Sequence, residues 1–420
     1  MIPTGCSLSE GMASSWPPTR EEGLKRLAAF VPHAGRAYAS QRNFDHGAGR
    51  HASVSNLSPY IRHRLISEYE VVTAVLAAHS PAAAEKFVQE VCWRTYWKGW
   101  LQQHPQVWEN YLEEVRCERA ALREDGGAAA AIAMAEGGTI GIACFDAWAR
   151  ELVETGYLHN HARIWFASIW IFTLKLPWSL GADFFMQHLL DGDPASNTLS
   201  WRWVAGLQTR GKTYLARPDN IAHYTGGRFR PDRDELASFA LPLGEDATPV
   251  RVPLPAADEV ARGTPVILVV TEEDLSPEAW PLAKTNVRGI ALIMPESVEL
   301  PRSGLVRAFK SGAIADAGTR ARAHWGHPVK AVRSSGELIA FAARQGAARC
   351  VTTVVPTGLV KPEIERWADD CAAAGLPIVQ IARRWDSLFW PHATAGFFKL
   401  KERITGTLRE LGITASEASE

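Results

Sequence analysis

Residues Leu190 to Trp203 read "LDGDPASNTLSWRW". Asp193-Pro194 is an ordinary helix start: the carboxylate caps the first backbone N–H groups, and Pro occupies the first helical position, where its missing donor costs nothing. A cap explains one acidic residue. It leaves Asp191, Asn197, Trp201 and Trp203 as either aromatic core with polar edges or a ligand site, and the surrounding sequence decides between them.

Outward from this stretch, residues 20 to 230 form a succession of helical patterns. "AAAEKFVQEVCWRTYWKGWLQQH", "CFDAWARELVETG", "HNHARIWFASIWIFTLKL" and "GADFFMQHLL" carry apolar residues at steps of three and four. Between Phe229 and Thr264 the chain turns rich in Pro, Asp and Gly without periodicity, the signature of a linker. Beyond it the pattern changes. "PVILVVT", "GIALIM", "VKAV", "CVTTVV" and "PIVQIA" are short β-branched runs separated by helical segments such as "SGELIAFAARQG". The expected fold is therefore multidomain α and α/β: an all-helical domain over 20–232, a linker over 233–262, and a doubly wound parallel α/β domain over 263–412. No G-x-G-x-x-G follows the first strand, so a dinucleotide site is not expected in the second domain.

Composition sets limits. Of 420 residues, 46% are hydrophobic and 22% charged, a globular balance, and the net charge of -1 offers no global basic field for nucleic acid. Sixteen Trp are the outlier. Cys6, Cys92, Cys117, Cys144, Cys350 and Cys371 are scattered without a C-x-x-C pair, which argues against a zinc site or disulfide framework and for a reducing, cytoplasmic setting. The first twenty residues lack a leader pattern and no run of eighteen apolar residues occurs, so a soluble protein with no membrane partner is expected. His159, His161 and His223 lack metal-ligand spacing, and no four-Cys set exists for an iron–sulfur cluster, so no metal is assigned.

"SNLSPY", "QEVCWRTYW", "TGYLHNHARIWFAS" and "LPWSLGADFFMQHLLDGDPASNTLSWRW" together resemble the flavin-binding domain of the photolyase/cryptochrome family, in the family's order and over about residues 20 to 205. The α/β half is similar to that family's antenna-type domain, which usually comes first, so the chain resembles a circular permutation. The resemblance implies a bound FAD; whether a second, antenna chromophore is present is left open. It implies that Ser55, Leu57 and Ser58 hold the pyrophosphate, where short Ser-rich loops at helix starts suit anions. It further implies flavin contacts from Tyr38, Phe87, Arg94 and Asn160, an Arg163–Asp191 ion pair beside the ring, Asp193 at the ribose or ring, and Asn197 facing N5.

The Trp content acquires a reading from the same resemblance. Trp201 and Trp178 match two members of the chain that carries an electron to the photoexcited flavin. Trp108, Trp148, Trp165 and Trp170 are available for the outer member, although Trp165 and Trp170 read better as core. For splitting a cyclobutane pyrimidine dimer, Glu90 matches the carboxylate that bonds the lesion, Trp93 and Trp203 the aromatic walls, and Asn160 a polar contact. Ile164 stands where dimer-repairing relatives often carry Met. Glu90, Trp93 and Arg94 fall at positions 1, 4 and 5 of "EVCWR", so one helix face presents all three. Arg202, Arg210, Lys212, Arg217, Arg228, Arg230 and Arg233 form a local basic stretch suited to a phosphate backbone. The expectation is a monomeric, light-dependent lyase acting on ultraviolet-damaged DNA, with Glu90, Asn160, Trp178 and Trp201 carrying catalysis. The alternatives are a cryptochrome-like blue-light photoreceptor and a flavin binder without either activity.

Overall fold

Ser80 accepts a hydrogen bond from the backbone N–H of Ala83 and Pro81 opens the first turn, so the apolar-periodic run that follows forms one uninterrupted helix, Pro81–Gln103. The other elements of the helical half assemble around it. In this computed structural model, residues 16–244, 247–282, 285–293 and 303–413 are described; Cys6, most of the stretch read for a leader, linker residues 245–246 and Met294 of the second strand run lie outside the described residues.

In chain order the helices of the first half are α1 (Arg20–Phe30), α2 (Arg36–Gln41), α3 (Ser58–Arg62), α4 (Glu68–Ala78), α5 (Pro81–Gln103), α6 (Gln106–Ala121), α7 (Gly126–Glu136), α8 (Ala143–Thr155), α9 (Asn160–Ser168), α10 (Trp178–His188), α11 (Pro194–Val204) and α12 (Pro218–Tyr224). Several of these, α6 and α7 among them, have no counterpart among the expected segments. α6 carries a readable apolar face at Val107, Trp108, Tyr111 and Val115, whereas the Ala-rich α7 has little contrast between its faces. The expected helix over His159–Leu176 is divided. α9 ends at Ser168 and a π turn spans Ile169–Thr173, widening the ladder around Trp170, which is buried and donates to the Pro177 carbonyl at 2.8 Å.

Five parallel strands, β1 (Pro265–Val270), β2 (Asn286–Ile293), β3 (Val329–Val332), β4 (Arg349–Thr353) and β5 (Ile378–Ile381), form a sheet of order β3-β2-β1-β4-β5. β2 starts earlier than the apolar run "GIALIM" suggests, because Asn286 and Val287 pair with the first residues of β1. Successive residues of β1 serve opposite faces: Val266, Leu268 and Val270 pack with α13 (Gly304–Trp325), while Ile267 and Val269 pack with α14 (Ser335–Arg344) and α15 (Lys361–Ala373). Burial on both faces accounts for the continuous apolar run of that strand.

After β5 the chain returns to the helical half. α16 (Arg384–Phe389), α17 (Phe397–Lys401) and α18 (Ile404–Glu410) follow the sheet, and hydrogen bonds fasten this segment to α5. Trp385 Nε1 donates to Thr95 Oγ1 at 3.0 Å, Gln103 Nε2 to the Trp390 carbonyl at 3.0 Å, and the Tyr96 hydroxyl to the Ala395 carbonyl at 2.7 Å. The connecting segment from 225 to 264 has no helix or strand among its described residues. It is nevertheless fastened, with Val252 N donating to the Gln103 carbonyl and Asp258 N to the Gln380 carbonyl, each at 2.8 Å.

Glu272, Glu273 and Asp274 follow directly on β1, so the carboxyl edge of the sheet meets a set of buried cations from the helical half. Arg62 gives a two-pronged bond to Glu273 at 2.8 and 2.7 Å and donates through Nε to the Gly192 carbonyl at 3.0 Å. Lys98 lies 3.3 Å from the same carboxylate. Arg64 bonds Asp386 at 2.7 Å and lies 3.5 Å from Asp274, which Arg383 grips at 2.5 and 2.6 Å. Arg64 adopts φ 49°, a conformation unfavourable for a side chain with a Cβ, and it is held there by what its guanidinium reaches. Burial alone would raise the pKa of Glu272, but Lys310, Arg62 and His63 bring it down to about 2; Glu273 and Asp274 are likewise held below their ordinary values by their cations.

Breaking one arm of a buried pair leaves a charge without compensation. Glu273→Ala should therefore lower unfolding stability by about 3–5 kcal/mol, read as a shift in urea midpoint. Because the pKa values of Glu272, Glu273 and Asp274 are depressed on folding, their stabilisation is complete above about pH 5 and is lost as pH falls toward 2; melting temperature measured across that range should drop steeply.

Candidate functional site

A cavity of about 570 Å³ opens between α5, α9 and α11, within the range of cofactor pockets. Each helix contributes one face at helical spacing: Phe87, Glu90, Arg94 and Trp97 from α5; Asn160, Arg163, Ile164 and Ala167 from α9; Asn197, Ser200, Trp201 and Val204 from α11. The loop of Ser55, Asn56 and Leu57 closes one side before α3. Asn56 there adopts φ 53° and donates through Nδ2 to the His51 carbonyl at 2.9 Å, which fixes the turn. Every flavin and lesion residue expected from the sequence lines this cavity; Trp178 lies outside the lining.

Asp193 does two things at once. Its Oδ1 caps α11 by accepting from Ser196 N at 2.8 Å, while Oδ2 lies 3.5 Å from Arg62 Nε and Lys98 Nζ and 3.6 Å from Arg94 Nη1. Burial opposes ionisation, but these three cations hold its pKa far below the usual carboxylate range. Asp191 accepts from Arg163 Nη2 at 3.0 Å, and Arg163 Nε donates to the Leu158 carbonyl at 2.8 Å, so the guanidinium is locked in orientation. Against its burial, Arg163, Arg94 and the Ser58 hydroxyl keep Asp191 ionised. Asn197 Nδ2 donates to the Ala182 carbonyl at 2.8 Å, leaving the amide oxygen as its available group.

The donor set fits FAD. Arg94 Nη1, Asp191 Oδ1, Asp193 Oδ2 and Ser196 Oγ are buried without a hydrogen-bond partner in the protein, and all four residues line the cavity. Buried polar atoms are costly unless satisfied. A flavin dinucleotide carries hydroxyls, amide-like ring edges and phosphates that match such cations and acceptors.

Glu90, Trp93, Asn160, Ile164 and Trp203 line the cavity and are each partly or largely exposed. Burial pushes Glu90 above the ordinary carboxylate range against the pull of Arg42, which pairs with it, and of Lys86. One face of Trp93 is covered by Phe397, with ring centroids 3.8 Å apart and planes 12° from parallel. Arg42, Ser196 and Phe398 also line the site and are absent from the sequence expectations. Ser196 could have been found from the α11 period; Arg42 and Phe398 arrive from other segments and carry no local signal.

Trp201, 2% exposed, meets Phe166, Phe185 and Trp170, the last edge-to-face with centroids 6.2 Å apart. Gly181 permits this, since a Cβ there would come within 2.4 Å of the Trp201 ring. Trp170, read from sequence as core, thus touches the expected flavin-proximal ring. Trp178 packs beside Tyr111 at 5.7 Å and Tyr111 beside Trp108 at 5.2 Å, whereas Trp148 and Trp165 stack on each other. The expected basic stretch is only partly available: Arg202 is buried and Arg228 is paired with Asp45 at 2.8 Å, while Arg210, Lys212, Arg217, Arg230 and Arg233 are exposed. Among the described residues no cluster of three or more His, Cys, Asp or Glu could hold a metal ion, and no helix is long and apolar enough to cross a membrane.

Removing the locked guanidinium tests the flavin fit. Arg163→Ala should weaken FAD retention about tenfold or more, the scale of a lost charge-assisted bond, measured as flavin absorbance per chain and by titration of the apoprotein.

Comparison with known proteins bears on the same residues. Residues 87–228 match the family model of the FAD binding domain of DNA photolyase. The deoxyribodipyrimidine photo-lyase of Neurospora crassa is 29% identical over 233 residues, covering 54% of this chain and 36% of that protein. The Thermus thermophilus protein of the same name is 33% identical over 198 residues, covering 47% and 45%. This chain therefore spans about half or less of the length of these relatives. Among solved structures, a class III photolyase from Agrobacterium tumefaciens aligns at 24% identity and a TM-score of 0.44, over 54% of this chain and 46% of that one. A cryptochrome from Synechocystis aligns at 24% identity and a TM-score of 0.40, over 49% and 43%. With a cavity whose unsatisfied polar atoms suit FAD, and a family match that spans the three helices that form it, the helical half carries an FAD-binding domain of the DNA photolyase type over residues 87–228, and the chain is similar there to the photolyase/cryptochrome family.

Proposed function

We propose that this protein is a light-dependent lyase that splits cyclobutane pyrimidine dimers in ultraviolet-damaged DNA. The observation that carries the reading is the shared cavity: Asp191, Asp193, Arg163 and Asn197, suited to a flavin, line the same cavity as Glu90, Asn160, Trp93 and Trp203. Bound in reduced form, FAD would supply the light-driven electron that opens the cyclobutane ring and receives it back.

The chain's own residues have simpler tasks. Asn197, fixed by its bond to the Ala182 carbonyl, would offer its amide oxygen as an acceptor to the N5 hydrogen of a reduced flavin. Glu90 would hydrogen-bond a base of the lesion from the cavity lining. Trp203 and Trp93, both on the cavity lining, would wall a flipped dimer, for which extrusion is cheap because damaged bases stack poorly. Ile164 and Asn160 cannot protonate a substrate, so the choice falls on cyclobutane dimers over (6-4) photoproducts, whose repair needs proton transfer. Arg210, Lys212, Arg217, Arg230 and Arg233 remain exposed for phosphate contact.

A blue-light photoreceptor is the second reading, and two observations favour it: Arg42 already engages Glu90, and Phe397 already covers a face of Trp93. Illumination of the reduced protein with DNA carrying both lesions decides. We expect loss of cyclobutane dimers, no change in (6-4) products, and about fivefold or greater loss of repair in Glu90→Ala at unchanged FAD content. No repair of either lesion with reduced FAD bound would overturn the lyase reading. Trp201→Phe should retain FAD yet slow light-driven flavin reduction by orders of magnitude, since Phe is far harder to oxidise than Trp; unchanged kinetics in flash photolysis would return Trp201 to the core.

A further inference from the structure

Phe398 is 74% exposed, and among the described residues it is the sole large apolar side chain that is both exposed and part of the cavity lining. It is also the sole contribution of the second half of the chain to that lining. Its exposure is not the result of a loose segment. Phe397 is buried against Trp93, Leu400 is fully buried, the Tyr96 hydroxyl holds the Ala395 carbonyl at 2.7 Å, and Lys401 lies 3.2 Å from Glu85 of α5. A pinned backbone therefore presents one aromatic ring to solvent at the cavity mouth.

Two exposed lysines belong to the same region. Lys399, next in sequence, has a side chain 68% exposed and lies 3.8 Å from Glu402, and Lys86, exposed on α5 one turn before Glu90, acts electrostatically on that carboxyl. An exposed aromatic ring flanked by solvated lysines is the combination that binds unpaired nucleic-acid strands, with the ring stacking on a base and the ammonium groups meeting phosphate. We propose that Phe398 is a nucleobase-stacking contact, taking an unpaired pyrimidine of the damaged strand at the mouth of the site. The proposal rests on the DNA-repair reading above and adds to it a residue from the other half of the chain.

The test is equilibrium binding in the dark of the full, FAD-loaded protein to a fluorescein-labelled single-stranded oligonucleotide carrying one thymine dimer, and to its undamaged counterpart. Phe398→Ala should weaken binding of the damaged strand about five- to hundredfold, the range of one lost base–aromatic stack, with FAD content and melting temperature unchanged. Phe398→Trp should bind within about twofold of wild type, and Phe398→Leu should resemble the Ala variant, because stacking and not mere apolarity is required. Wild-type-like binding by Phe398→Ala overturns the proposal and leaves the repair reading standing. Equal binding of both strands by the wild type overturns lesion recognition, while a loss in Phe398→Ala on both still supports the stack. Absence of binding to either strand overturns both. A wild-type dimer that Phe398→Ala dissociates in sedimentation, with DNA binding intact, would assign the ring to self-association instead.

Discussion

The Arg62–Glu273 pair is the constraint on which the molecule is arranged. It joins the helix after the Ser-rich loop to the residues that follow the first strand, and both partners are buried. Such a pair tolerates no half-measures: with both partners present the charges compensate, and with one absent the other is stranded in low dielectric. Arg62 also lies beside Asp193, and Lys98 touches both carboxylates, so the junction and the floor of the cavity share their cations. The relative placement of the two halves and the charge state of the flavin site are consequently one problem, solved by one set of side chains.

This sharing explains why the α/β half is more than an appended domain. In open parallel sheets the crevice at the carboxyl ends of the strands, where the strand order reverses, is the usual ligand position. Here that edge carries Glu272, Glu273 and Asp274, and the loop after β4 adds Thr357, whose N–H donates to Gln102 Oε1 at 2.7 Å. The helical half thus docks where a small molecule would bind in many relatives of this sheet. α5 receives contacts from the β1 loop, the β4 loop and the C-terminal helices, while its other face lines the cavity.

Much of this was legible because the site is built from helices whose faces repeat in sequence. Asn160 and Ile164, or Asn197 and Trp201, are four residues apart on one helix face, so motif and geometry coincide. The central strands were legible for a related reason, since burial on both faces demands continuous apolar stretches, as in β1. What escaped was long-range or low-contrast. α7 is nearly uniform in Ala, the π turn at Trp170 has no local signature, and the basic stretch loses Arg228 to Asp45, a residue 183 positions away. Glu273 reads locally as a solvated acid after a strand; its partner is 211 residues distant. Phe397 and Phe398 look like ordinary apolar residues of a terminal helix, and nothing near them announces Trp93.

The stack of Phe397 on Trp93 carries a consequence for biosynthesis. The bonds that fasten the same segment, Trp385 to Thr95 and Ala395 to Tyr96, span 290 and 299 residues. At ordinary elongation rates the ribosome needs roughly 15 to 60 s to cover that distance. Throughout that interval Trp93, Tyr96 and Trp97 stand on a finished helix with their eventual cover not yet made, an exposed aromatic surface of the kind that chaperones bind and that nascent chains aggregate through. Early capture of flavin by the helical half would shorten the vulnerability, because the cofactor would order α5, α9 and α11 before the α/β half exists to brace them.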